Sequence, residues 1–320
     1  MTPENTQCQD QYIARINRVI DHIEENLGGE LRLKDLARVA RFSPFHFHRI
    51  FSAMVGETLN HFIQRIRIEK AASQLVGNPK KSITTVAIDC GFSSSAAFSR
   101  AFRETFNMSP SQWRKDRKAN RKADQTIGKS GKDFAVSTLY IDSDTKRPTW
   151  RVKMQDKEQI RVHVKQMPEH NVAYVRHIGP YKGDAKLFES LFGKLMAWAG
   201  PRDLLRFPET KILAVYHDDP EITDEEKLRV SACITVPKGT PVDGEIGTMA
   251  IPGGKYAVGR FELTSDEYQG AWDAIFGGWL PSSGYQPDDR PCYELFPYEG
   301  GECSCEKQTV DICVPVKPMP

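Results

Sequence analysis

The chain has 320 residues, 39% of them apolar, and its 44 Lys and Arg nearly balance 42 Asp and Glu. That length favours two domains, the apolar fraction excludes a wholly disordered chain, and no run approaches the roughly 18 apolar residues of a membrane span. The net charge of +2 divides unevenly: residues 1–122 carry 20 basic and 12 acidic side chains (+8), the remainder 24 and 30 (−6), so a polyanion-binding part is joined to something else.

Residues 11–27 place Ile13, Ile16, Ile20, Ile23 and Leu27 on one helical face, and Gly28-Gly29 ends that helix. LKDLARVA at 33–40 is a short helix. Ser43 is then an N-cap with Pro44 at the first helical position. The helix that follows carries Phe47, Ile50, Phe51 and Met54 inward and leaves Phe45, His46, His48, Arg49 and Ser52 outward. Residues 58–76 form a longer amphipathic helix closed by Gly77-Asn78-Pro79. The pattern recurs as a short helix from Ile83 to Asp89, a turn at Cys90-Gly91-Phe92, and a helix capped by Ser93 or Ser94 that carries Phe98, Ala101, Phe102 and Phe106. Phe42 matches Phe92 at an offset of 50, whereas Arg49, Phe51 and Phe62 match Arg100, Phe102 and Trp113 at 51. Such self-similarity is a duplicated helix-turn-helix unit.

Residues 115–157 open polar and basic and read as a linker with one strand at Ala135–Asp142. Ile160–Gln166 and Val172–His177 have strand character, Asp184–Ala199 is helical, and Ile212–His217 and Arg229–Val236 are strands again. A second copy follows: Tyr256–Phe261 resembles Val172–His177, Ser265–Leu280 resembles Asp184–Ala199, Tyr293–Phe296 resembles Leu213–Tyr216, and Val310–Val316 resembles Val230–Val236. The predicted architecture is therefore an all-α N-terminal domain of two helix-turn-helix units at 8–118 and a linker at 119–156. An α+β C-terminal domain follows at 157–317, a duplicated β-α-β-β sheet with helices on one face.

LKDLARVARFSPFHFHRIFSAMVGETLNHFIQRIRIEKAASQLV and ITTVAIDCGFSSSAAFSRAFRETFNMSPSQWRK resemble the DNA-binding domain of the AraC/XylS family of transcription regulators. HIGPY at 177–181, VYHDDP at 215–220 and YELF at 293–296 resemble the GyrI-like effector-binding domain, and the order of the two resembles the Rob-type layout. The resemblance implies double-stranded DNA, a small-molecule effector and RNA polymerase as partners. It places base-facing positions at Phe45, His48 and Arg49 in the first unit and at Ser95, Ala96 and Arg100 in the second, with Arg103 on phosphate. Arginine can donate two hydrogen bonds to guanine, Phe45 can pack on a thymine methyl, and Ser95 and Ala96 have little reach, so the first helix is expected to specify and the second to position.

Strand period two puts Glu294 on one face with Cys292 and Phe296, and apolar Tyr293 and Leu295 suit the helix-covered side, which leaves Glu294 facing an open groove. The resemblance implies that Glu294 anchors a cationic, apolar ligand, with Tyr174, Tyr216, Phe296 and Trp279 as aromatic neighbours. No cofactor or metal is expected: Cys303-x-Cys305 lacks zinc spacing, and Ser-His-Asp, Walker and dinucleotide patterns are missing. The expected protein is a regulator and not an enzyme. The alternatives are a hydrolase built on Glu294 and Tyr216, or a module that binds gyrase or another protein. The N-terminus MTPENTQCQDQY lacks the basic-then-apolar order of a secretory signal, and seven scattered Cys suit a reducing cytoplasm.

Overall fold

The computed structural model describes residues 3–115, 137–141, 148–152, 160–218, 223–298 and 307–319. The chain forms two compact units, residues 9–156 and residues 157–320 together with 1–8.

The first unit is helical: α1 (Pro3–Glu25), α2 (Leu33–Ala40), α3 (Pro44–Val55), α4 (Leu59–Gly77), α5 (Ile83–Asp89), α6 (Ser95–Phe106) and α7 (Pro110–Lys115). Hydroxyls of Ser43, Thr58, Ser82 and Ser94 each accept a backbone N–H of the helix they open, which satisfies donors that a helix start leaves orphaned. The left-handed turn residues Arg41 and Gly91 are 50 positions apart, while the caps Ser43 and Ser94 are 51 apart. The second turn thus holds one extra residue, which accounts for the change of offset along the repeat. After α7, an antiparallel hairpin joins β1 (Ser137–Ile141) to β2 (Pro148–Val152), the first of which falls where the linker strand is predicted.

Helix α4 connects the repeats and carries a buried ion cluster. Glu57, just ahead of it, accepts from Arg65 at Nε (3.0 Å) and at Nη2, and from His61 Nδ1 at 2.6 Å; Arg65 Nη1 also reaches Glu69 at 3.2 Å. The Glu57 and Arg65 side chains are 2% and 7% exposed. Breaking such a pair strands a buried charge, so Arg65→Met is expected to cost about 3–5 kcal/mol in urea unfolding, and Glu57→Leu with Arg65→Met should recover most of it. A double variant no more stable than the single one would count against this account.

Among the described residues, the second unit forms a nine-stranded antiparallel sheet. Its elements in chain order are β3 (Val162–Met167), β4 (His170–Ile178), α8 (Ala185–Ala199), β5 (Ile212–Tyr216), β6 (Arg229–Thr235), β7 (Gly247–Ile251), β8 (Gly254–Leu263), α9 (Tyr268–Asp273), β9 (Tyr285–Pro287), β10 (Tyr293–Phe296) and β11 (Gln308–Pro318). A π-helical stretch, Ala274–Trp279, continues α9. Strand order is β3-β8-β11-β10-β5-β6-β4-β7, with β9 on the end of β11. The order is palindromic, as a duplication requires, with β5 and β10 paired at its centre. The two leading strands are exchanged: β3 precedes β4 but pairs with β8, and β7 precedes β8 but pairs with β4. Each copy therefore completes the other's sheet, which makes the halves one folding unit.

Both helices cover the same face. Leu191, Leu195 and Ala199 of α8 pack on Ala173, Val175, Ala232 and Ile234. Ile275 of the π-helix lies over Gly259, whose missing Cβ would stand 3.1 Å from it. The opposite face is also a core, with Val172, Leu213, Cys233, Tyr256, Val258, Tyr293 and Cys313 buried together.

Candidate functional site

Helices α3 and α6 start from equivalent caps, so their residues correspond at an offset of 51. On α6 the exposed positions include Ala96, Arg100 and Arg103, spaced as one helical face, and only Phe98 and Phe102 are buried. On α3 the equivalent line is Phe45, Arg49 and Ser52, each half-buried. Ser95 is half-buried and corresponds to Pro44, beside the accessible line of α6.

Two expectations on α3 fail. His46 is fully buried and His48 is 1% exposed, so neither is outward. The apolar stripe marks one contact face, but α3 also buries Ala53 and Val55, each one heptad after His46 and His48. The helix is enclosed over more than half its circumference, and both imidazoles lie within the enclosed arc. Of the positions expected to face bases on the first helix, Phe45 and Arg49 keep partial exposure.

In the second unit Glu294 stands at the centre of the sheet, directly across from Ala214 of β5. It is 2% exposed. Its carboxylate accepts from Tyr216 Oη at 2.7 Å and from Trp272 Nε1 at 2.9 Å. Rings enclose it: Tyr216 lies 5.6 Å from Tyr181 and 6.1 Å from Trp272, and Trp272 stacks on Phe276 at 6.1 Å. Burial and the neighbouring Glu294 carboxylate push the Tyr216 phenol well above its ordinary pKa and raise Tyr268 as well, so both remain protonated donors. Phe296, two residues along the same strand, meets Phe192 of α8 at 5.8 Å.

Three expectations for the surroundings of Glu294 are overturned. Glu294 lies on the helix-covered face, level with Ala214 and Ala232, and Tyr293 and Leu295 belong to the opposite core. Apolarity could not choose between two faces that are both packed. Tyr174 is on that opposite face too, beneath Arg176. Trp279 stacks on Tyr285 instead of approaching the carboxylate. The π-helix winds with i→i+5 bonds, so it rotates Trp279 off the face that an unbroken α-helix would share with Trp272. Tyr216 and Phe296 are where strand parity puts them. Trp272, Tyr181 and Tyr268 are the residues that sequence reasoning missed, although Tyr181 closes the HIGPY motif.

Cys292 and Cys313 are buried, whereas Cys303 and Cys305 lie outside the described residues. Among the described residues no helix is long and apolar enough to cross a membrane, and no three His, Cys, Asp or Glu converge as metal ligands.

Residues 36–116 match a helix-turn-helix domain and residues 161–317 match the GyrI-like small molecule binding domain. The chain is similar to DNA gyrase inhibitor 2 of Dickeya dadantii, 31% identical over 145 residues, which is 43% of this chain and 86% of that protein. It is also similar to the Msm operon regulatory protein of Streptococcus mutans, 35% identical over 103 residues, which is 32% of this chain and 37% of that protein. Among solved structures, the EcmrR C-terminal domain is 20% identical with a TM-score of 0.41 and covers 50% of this chain and 99% of its own.

Proposed function

Because the chain belongs to the GyrI-like family of small molecule binding domains and carries an AraC-type helix-turn-helix domain ahead of it, it is a DNA-binding transcription regulator under small-molecule control, and we propose that its effector is an apolar organic cation held at Glu294. The observation that carries this reading is the carboxylate itself. Glu294 is buried, and its charge is steadied by Tyr216 and Trp272 inside a wall of aromatic rings. Such an enclosure favours a cation that brings its own apolar surface, through charge attraction and cation–π contact. A thermal-shift series with aryl ammonium and phosphonium salts tests it. Cations should raise Tm where neutral isosteres do not, and equal shifts from both would refute the reading.

On DNA, Phe45 and Arg49 of α3 and Arg100 of α6 face base edges, Arg103 meets phosphate, and RNA polymerase is the partner at the promoter. Support comes from the accessible i, i+4, i+7 line on each helix and from the basic balance of residues 1–122. Arg49→Ala is expected to relax base preference at one operator position by about 1–3 kcal/mol, and Arg100→Ala by less, in binding measured across operator variants. A larger loss of preference from Arg100→Ala would reverse the division of labour. We read the protein as a binder and not a catalyst, because both Glu294 oxygens already accept from phenol and indole donors. The Dickeya dadantii gyrase inhibitor matches 43% of this chain, and inhibition alone gives the helix-turn-helix units no task.

A further inference from the structure

The two halves of the sheet are copies, so each is a control for the other. In the second half Arg260 on β8 crosses to Asp311 on β11, with Nε 2.7 Å from Oδ1 and Nη2 2.8 Å from Oδ2. These two residues face each other across the ladder. The matching facing pair in the first half is Arg176 on β4 and Ser231 on β6. The guanidinium is kept there and the carboxylate is gone.

Ser231 is fully buried, and its hydroxyl meets Arg176 Nε at 3.1 Å and His217 Nε2 at 2.8 Å. His217 supplies no charge in place of an aspartate. Burial, with Arg176 and Arg229 nearby, lowers its pKa to about 4, which leaves a neutral ring at ordinary pH. Asp218 is engaged with Arg229, through Nε and Nη2 at 2.8 Å each. Among the described residues no carboxylate forms an ion pair with Arg176.

The Arg176 side chain is exposed yet held in place. Its guanidinium lies 4.6 Å over the Tyr174 ring, and Nη2 is 3.9 Å from Met249 Sδ. Tyr174 lies across Gly247, where a Cβ would stand 2.5 Å from the ring, so the glycine makes the ring's position available. Ile178, two residues along the same face of β4, is 63% exposed. An oriented fork therefore stands beside apolar surface, on the face of the sheet opposite Glu294.

We propose that Arg176, oriented by Ser231 and His217, binds a small apolar carboxylate, whose oxygens take the Nη1/Nη2 edge and whose body rests on Tyr174, Met249 and Ile178. The internal copy indicates the charge partner, since Arg260 pairs with a carboxylate in the equivalent place. A planar carboxylate matches one guanidinium fork, whereas phosphate brings more charge than a single arginine neutralises and gains nothing from apolar neighbours. The site takes a ligand of opposite charge to the one at Glu294 and does not depend on that reading.

Benzoate is the probe, followed by ligand-observed NMR on the full chain, with acetate and inorganic phosphate compared at equal ionic strength. Benzoate is expected to saturate and to bind more tightly than acetate or phosphate. Arg176→Gln removes the fork, and Ser231→Asp supplies the carboxylate internally, as the second half already does. Each should weaken benzoate about tenfold or more with Tm retained, while Glu294→Gln leaves it unchanged. No saturable binding to the wild type, undiminished binding to either variant, or phosphate binding as tightly as benzoate would overturn the proposal.

Discussion

Glu294→Gln is expected to leave the second unit folded and to weaken binding of an apolar organic cation about 100-fold, the scale for removing one partner of a desolvated charge pair. Both donors to this carboxylate are fixed by the fold: Trp272 from α9 and Tyr216 from β5. An amide keeps one acceptor oxygen for the indole, which can only donate. Its NH2 then meets Tyr216, whose hydroxyl can turn and accept. The hydrogen bonds survive while the charge is lost, so a titration calorimeter should see the affinity fall without a matching drop in Tm. If the variant binds cations as the wild type does, the attraction resides in the rings and not in the carboxylate. Tyr216→Phe separates the contributions further, since it removes one donor and keeps both the ring and the negative charge.

Gly91→Ala is expected to destabilise the helical unit by about 4 kcal/mol or more, enough to leave much of a marginally stable unit unfolded. Gly91 has φ of 86°, a conformation that costs an L-residue energy, and it forms the turn of the second repeat. Space compounds the strain. A Cβ there would press into the Leu27 carbonyl oxygen and stand 2.7 Å from both Nε and Nη2 of Arg67. Arg67 donates to Leu27 O at 3.1 Å and to Gly29 O at 3.0 Å, tying α4 to the end of α1, so its side chain cannot withdraw without giving up those bonds. Gly77→Ala is the control, because a Cβ there meets nothing within 4 Å and the residue is helical; that change should be neutral or slightly stabilising. Circular dichroism melts of the two variants make the comparison, and similar Tm values would remove the steric argument.

Features legible in the amino-acid order alone are local or repeated. Capping hydroxyls at Ser43 and at Ser93 or Ser94 mark two helix starts, and the structure puts the second cap on Ser94, because a cap acts within three residues of its own position. The 50-to-51 shift in the first repeat was readable, and the structure supplies its cause in one added turn residue. Alternation along β10 and β5 was enough to place Tyr216 and Phe296 with Glu294. β7 and β9 escaped notice, since Gly247–Ile251 and Tyr285–Pro287 are short and their strand character comes from a partner already in place.

Which faces are covered depends on long-range packing. Tyr293 has the same apolar character under a helix or against the opposite core, and the choice depends on pairings with residues 78 and 20 positions away, Val215 and Cys313. The exchange of β3 and β7 between the copies is invisible to any local window for the same reason. His46 and His48 lie off the apolar stripe of α3, yet the helix is enclosed on a wider arc than that stripe marks. Trp272 displaced Trp279 at the carboxylate because a π-helical stretch re-registered the helix between them. Local chemistry sets backbone conformation and side-chain alternation; burial is a property of what arrives from elsewhere in the chain, and the surroundings of Glu294 are made of such arrivals.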